Sequence, residues 1–130
     1  MAHPNEELLR KGYAAFASFD LDTIRELFDD NIKWHIPGRS PVAGDYKNKD
    51  EVFEFFSKIL SISEGTFKVD VHDVLANEEH AVVLTTSHGQ RPGKKDLDIK
   101  GVASYHIKNG KVVEAWFFDE DLYADDEFWS

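Results

Sequence analysis

The dipeptide Asn109-Gly110 constrains this chain more than any other feature, because it separates two runs in which apolar residues recur at every second position. Leu97, Ile99, Ala103, Tyr105 and Ile107 alternate with Asp98, Lys100, Ser104 and His106, and a second run extends from Val112 to Phe118. Alternation gives a strand one buried face, and Asn-Gly supplies the two positive-φ residues that the tightest hairpin turn needs. The two runs therefore predict antiparallel neighbours. Upstream, Phe67, Val69 and Val71 keep the same period against Lys68, Asp70 and His72, whereas Ala81-Val82-Val83-Leu84-Thr85-Thr86 has no clear inward phase. In the last run Val113, Ala115 and Phe117 share one face while Val112, Trp116 and Phe118 load the other, interrupted only by Glu114. One face can meet helices, and the other predicts a homodimer through the sheet, with Trp116 and Phe118 in the contact.

Before residue 65 the period is helical. Leu9, Tyr13 and Phe16, broadened by Leu8, Ala15 and Phe19, form an apolar stripe over Pro4 to Ser18, and Pro4 suits a first helical turn. Asp20 caps a short second helix through Leu21, Ile24, Leu27 and Phe28, expected to stop near Asp29-Asp30-Asn31. Ile32 to Ile36 alternates as a strand ended by Pro37-Gly38, and the stretch to Tyr46 reads as a loop. Asn48 and Glu51 have capping-box spacing and open a third helix that turns Val52, Phe55, Phe56, Ile59 and Leu60 inward. Helices followed by antiparallel strands predict one α+β domain over 1–130, with three helices packed on the concave side of a curved sheet.

The chain has 130 residues, the size of one domain, with 42% apolar residues and a net charge of −10. Sparse, scattered Lys and Arg argue against nucleic acid and anionic membranes as partners. With no cysteine, thiolate nucleophiles and thiolate metal sites are excluded. No run approaches a membrane span of roughly 18 apolar residues, and the opening residues lack a signal-peptide pattern, so a soluble cytoplasmic protein is expected.

The order of elements, with Lys-Gly-Tyr-Ala-Ala-Phe in helix one, Asp-Leu-Asp-Thr-Ile-Arg-Glu-Leu-Phe in helix two and Trp34 in the first strand, resembles the SnoaL-like branch of the nuclear transport factor 2-like superfamily. Asp50 to Phe56 looks like that group's third helix, and Asn109 to Trp116 like its final hairpin. The resemblance implies a cone-shaped, cystatin-like fold around a pocket. Similarity to the ketosteroid isomerases places Tyr13 at their oxyanion-hole tyrosine, with Ile36 where they carry the base and Ala103 where they carry a protonated acid. Neither Ile36 nor Ala103 can exchange a proton. Similarity to SnoaL-like cyclases instead points to Asp119, shortly after Trp116, as acid or base.

Alternation also places Asp119 on the face of Val113, Ala115 and Phe117, where desolvation would raise its pKa into a useful range. Six of the nine residues from Asp119 to Glu127 are acidic, so the competing reading is the start of a solvated exit loop. Asp119 and Tyr13 are the catalytic candidates. Trp34, Phe16, Ile36, Phe55, His88, Ala103, Tyr105 and Phe117 are the substrate-binding candidates, with Trp34 and Tyr105 offering polar handles. No helical His pair or phosphate loop is present, so neither metal nor cofactor is expected. Three functions follow: a cofactor-free isomerase, dehydratase or cyclase acting on a small apolar molecule, a non-catalytic binder of a hydrophobic metabolite, or a dimeric interaction module.

Overall fold

Local capping sets the helical ends as the sequence expects. The structure, a computed structural model, describes residues 2–130. Helix α1 (Pro4–Ala17) begins with Pro4 in its first turn, where a missing N–H leaves no bond unmade, and His3 Nδ1 accepts from the Asn5 amide at 3.0 Å. Asp20 caps α2 (Leu21–Leu27), accepting from the Thr23 amide at 3.2 Å and the Thr23 hydroxyl at 2.6 Å. This helix stops earlier than the acidic run suggested, because Phe28 is already extended and opens β1 (Phe28–Ile36). Ile32 and Trp34 are both core residues, and a strand turns both toward the core where continued helix would not.

The segment after Gly38 is not all loop, since Gly44–Tyr46 forms β2, paired antiparallel to β1. Helix α3 (Lys49–Ile62) carries the expected cap: Asn48 Oδ1 accepts from the Glu51 amide at 2.9 Å, while Glu51 reaches back to the Lys47 amide at 3.0 Å. The remaining strands are β3 (Lys68–Ala76), β4 (His80–Gly89), β5 (Leu97–Lys108) and β6 (Lys111–Asp119). A fourth helix, α4 (Leu122–Trp129), occupies what the acidic composition had marked as an exit loop.

The six strands lie in the order β2-β1-β6-β5-β4-β3. All neighbours are antiparallel except β1 and β6, which run parallel, so the sheet is mixed where the sequence predicted it antiparallel. The direction of β1 relative to β6 is set by the path between distant segments, and alternation reads alike for either direction. A register shift between His106 and Ile107 pairs Ile107 with Val112 and His106 with Glu114. It corrects the phase expected at the start of β6: Val112 is 1% exposed and belongs to the core, while Val113 is the extra residue. Pairing also resolves β4, because Ala81 and Val83 are buried opposite Tyr105 and Ala103. Thr85 and Ser87 therefore share the inward phase, and His88 takes the outward one.

Candidate functional site

Helices and the concave sheet face enclose a cavity of about 170 Å³. Its wall is apolar and aromatic over most of its area, with Phe16, Ile36, Phe55, Ala103 and Phe117 all contributing, as the alternation of β1, β5 and β6 and the stripes of α1 and α3 require. Phe16 packs edge-on against Phe56 at 5.4 Å. Ile36 and Ala103 leave the wall inert at their positions.

Two polar groups interrupt this wall, at opposite ends. Under α1, the Tyr13 and Tyr105 hydroxyls lie 2.5 Å apart. Burial pushes Tyr13 up to about 12 and Tyr105 well above its ordinary value, so both are neutral phenols. One hydrogen bond between two hydroxyls uses one of their two protons, and neither oxygen has another partner among the described residues. Next to them Trp34, 5% exposed, is held by Phe28, Phe56, Tyr105 and Phe117 at ring separations of 4.9–6.2 Å. Its Nε1 is buried without an acceptor among the described residues. An unmatched buried donor costs about 1–3 kcal/mol, so this end of the cavity holds two N–H or O–H protons suited to an acceptor oxygen.

At the other end, β6 stops at Asp119, which pairs across the sheet with Gly101. Tyr105 lies four residues from Gly101 on β5, so the backbones of these two positions are about 13 Å apart along the strand. Gly101 gives the carboxylate room: a Cβ there would sit 3.3 Å from Asp119 Oδ1 and 3.1 Å from the Phe118 carbonyl oxygen. Thr85 lines the same end and donates weakly to the Gly101 carbonyl at 3.3 Å.

Asp125, on α4, also lines the cavity beside Asp119. Trp129 Nε1 donates to Asp125 Oδ1 at 3.1 Å from one turn further along the helix. Burial, then the neighbouring Asp119, raises Asp125 to about 7. Burial also raises Asp119, against the contact with Asp125 that lowers it. Asp126 performs a different task, accepting from the Arg39 amide at 3.0 and 3.1 Å and from the Ser40 amide at 3.2 Å. Gly38, at φ 101°, lets that loop approach, since a side chain there would meet the Asp126 carboxylate. Arg91 fixes the end of α4 by donating to the Phe128 carbonyl and, at 3.0 Å, to that of Ser130.

Of the predicted lining residues, only His88 is misplaced. It lies on the outer face of β4, where Nε2 meets Asp70 Oδ2 at 2.9 Å, because the inward phase of β4 belongs to Ala81, Val83, Thr85 and Ser87. Asp125, Trp129, Gly101 and Thr85 were missed. A helical signal for the first two does exist, since Asp121 caps the Ala124 amide at 3.0 Å and Asp125 and Trp129 are spaced i, i+4.

Helices on one face of a curved six-stranded sheet around an apolar cavity define the nuclear transport factor 2-like, cystatin-like α+β class. Within it the chain belongs to the SnoaL-like domain family, whose defining pattern matches residues 9–115. It is similar to Bal32a from a soil-derived mobile gene cassette, with 40% identity, coverage of 98% of this chain and 97% of that one, and a TM-score of 0.94. It is also 26% identical to an uncharacterized protein of Mycobacterium tuberculosis over 95% of each chain. A putative SnoaL-like polyketide cyclase from Jannaschia shares the fold at 15% identity, with a TM-score of 0.80 over 98% of this chain and 92% of that one.

Proposed function

We propose that this protein is a cofactor-free, cytoplasmic acid-base enzyme of the isomerase or lyase type that acts on a small, neutral, flat molecule. The observation carrying this reading is the position of Asp119, a carboxyl opening into a cavity that is apolar over most of its wall. A partly desolvated carboxylate is a stronger base than one in water, and its neighbours give it no cation to neutralise it. Comparable cavities of about 150 Å³ accept benzene, so about 170 Å³ fits a molecule of one or two small rings. Phe117 and Trp34 supply stacking surface. Tyr13, Tyr105 and Trp34 anchor an acceptor oxygen at the far end of the ligand and orient it.

The test is deuterium exchange into 2-indanone, a neutral flat ketone with acidic C–H groups, followed by proton NMR in D₂O. Wild-type protein should accelerate the loss of the C–H signals, and Asp119→Asn should reduce that acceleration by about 100-fold while melting within a few degrees of wild type. If wild type binds the ketone, shown by shifts of cavity resonances, and exchange stays at the buffer rate, the non-catalytic binder is the correct reading. The inert Ile36 and Ala103 favour that alternative.

The outer sheet face supports a homodimer. Phe118 is 59% exposed, Leu75 55% and Val102 38%, and Trp116 lies on the same face of β6 as Phe118. Exposed apolar residues on β3, β5 and β6 of one face are a surface of the kind two copies can share about a two-fold axis. Light scattering at micromolar concentration should give about twice 14.9 kDa, and Phe118→Lys should halve it. A wild-type mass of one chain removes the dimer.

A further inference from the structure

We propose that Asp125 is the second working carboxyl of the site, forming with Asp119 a pair that holds one proton and acts as acid and base together on a bound carbonyl compound. This deepens the acid-base reading of Asp119 and rests on it. Tyr105 lies four residues, about 13 Å along β5, from Gly101, the cross-strand partner of Asp119, so a carbonyl whose adjacent C–H meets that carboxylate sits toward the end of the cavity away from the phenols. A carbonyl oxygen in that place needs a donor from the Asp119 end. Asp125 lines the same cavity as Asp119 and is held by the Trp129 indole N–H at 3.1 Å.

Two neighbouring carboxyls in a mostly apolar wall cannot both ionise cheaply, because each charge is desolvated and repels the other. Asp126 is the other charge facing the pair and it too is negative, its oxygens turned toward the Arg39 and Ser40 amides. Nearby cations are engaged elsewhere: Lys94 with Glu127 at 3.2 Å, and Arg91 with the backbone carbonyls of Phe128 and Ser130. The surroundings therefore keep one proton on the pair at neutral pH, on Asp125, with Asp119 as the carboxylate.

The step balances without a co-reactant. Asp119 removes a proton from the carbon beside the carbonyl, and the C–H electron pair becomes the C=C bond of the enol. The carbonyl π pair takes the proton that Asp125 releases. The pair begins and ends with one proton, now on Asp119, and the reverse transfer to a different carbon completes an isomerisation. Trp129 is a positioning residue: its N–H holds one Asp125 oxygen and leaves the other to face Asp119 and the ligand.

The test uses the intact protein labelled with ¹³C at the aspartate carboxyls. In wild type one carboxyl should titrate near pH 7, and the Trp129 indole N–H resonance should move with the same midpoint. Asp125→Asn should abolish that step, and Asp119→Asn should lower its midpoint by removing the neighbouring charge. With 2-indanone, Asp125→Asn should slow exchange by about 100-fold with ketone affinity retained. A Trp129 resonance that follows a midpoint near pH 4, which needs no variant, overturns the pair. So does an Asp125→Asn protein that exchanges at the wild-type rate; if Asp119→Asn abolishes exchange at the same time, Asp119 stands as the base alone.

Discussion

Replacing Asp125 by asparagine should make the folded protein more stable, by an amount that grows as pH rises from about 4 to 7 and is complete above neutral pH. In the unfolded chain the carboxyl ionises near its ordinary value of 3.8, whereas in the folded protein burial and Asp119 hold it protonated to about 7. Between those values the folded state binds the extra proton, so stability falls as pH rises from about 4 to 7. The interval corresponds to about 4 kcal/mol, and sharing of the proton with Asp119 and contact with the cavity reduce the realised loss to about 2 kcal/mol. Asparagine carries no charge to desolvate, and its amide can still donate to Asp119. At pH 4 the two proteins should melt within about 2 °C of each other, and at pH 8 the variant should melt higher by roughly 6–10 °C. Thermal unfolding followed by far-ultraviolet circular dichroism at four or five pH values measures this directly. A melting difference of constant size from pH 5 to pH 8 would refute the claim that Asp125 is protonated by its surroundings.

Other expectations are independent of that pair. Asp126→Ala removes the acceptor of the Arg39 and Ser40 amides and should lower stability by about 1–2 kcal/mol in urea denaturation, with faster amide exchange at residues 39 and 40. Tyr13→Phe leaves the Tyr105 hydroxyl buried without its partner, at a cost of about 1–2 kcal/mol; in wild type, absorbance at 295 nm should show both phenols still protonated at pH 11. His35 lies between Asp45 Oδ1 at 2.7 Å and Glu114 Oε2 at 2.6 Å, and the Asp45 contact, followed by Glu114, raises its pKa despite partial burial. Its contribution is complete below about pH 6.5, the unfolded value, and is lost as pH rises through the folded one. In an Asp125→Asn background, which removes the carboxyl's own dependence, stability should therefore still decline above pH 6.5, and His35→Gln should flatten that decline.

Features written locally were legible in the sequence. The hairpin at Asn109-Gly110, the Asp20 and Asn48 caps and the inward phase of β5 each depend on residues within a few positions of one another. The direction of β1 against β6 depends on contacts between distant segments, and side-chain alternation carries no information about it. The phase of β4 was hidden because its outward residues Val82 and Leu84 are as apolar as its inward Ala81 and Val83, a consequence of an outer face that is itself apolar. Asp125 was hidden for a chemical reason. A run with six acids among nine residues reads as a solvated loop, yet three of those acids have separate tasks: Asp121 caps α4, Asp126 holds the loop after β1, and Asp125 faces the cavity. Helical spacing of Asp125 with Trp129 was the available signal, and charge density masked it.

The most direct test of this account is a crystal structure of the protein soaked with 2-indanone. It should show the ring in the cavity against Phe117, the carbonyl oxygen within hydrogen-bond distance of Asp125, and a neighbouring carbon facing Asp119. A ketone seated with its oxygen on the Tyr13–Tyr105 pair and no part of it near the two carboxyls would contradict the assignment of acid-base chemistry to this end of the cavity.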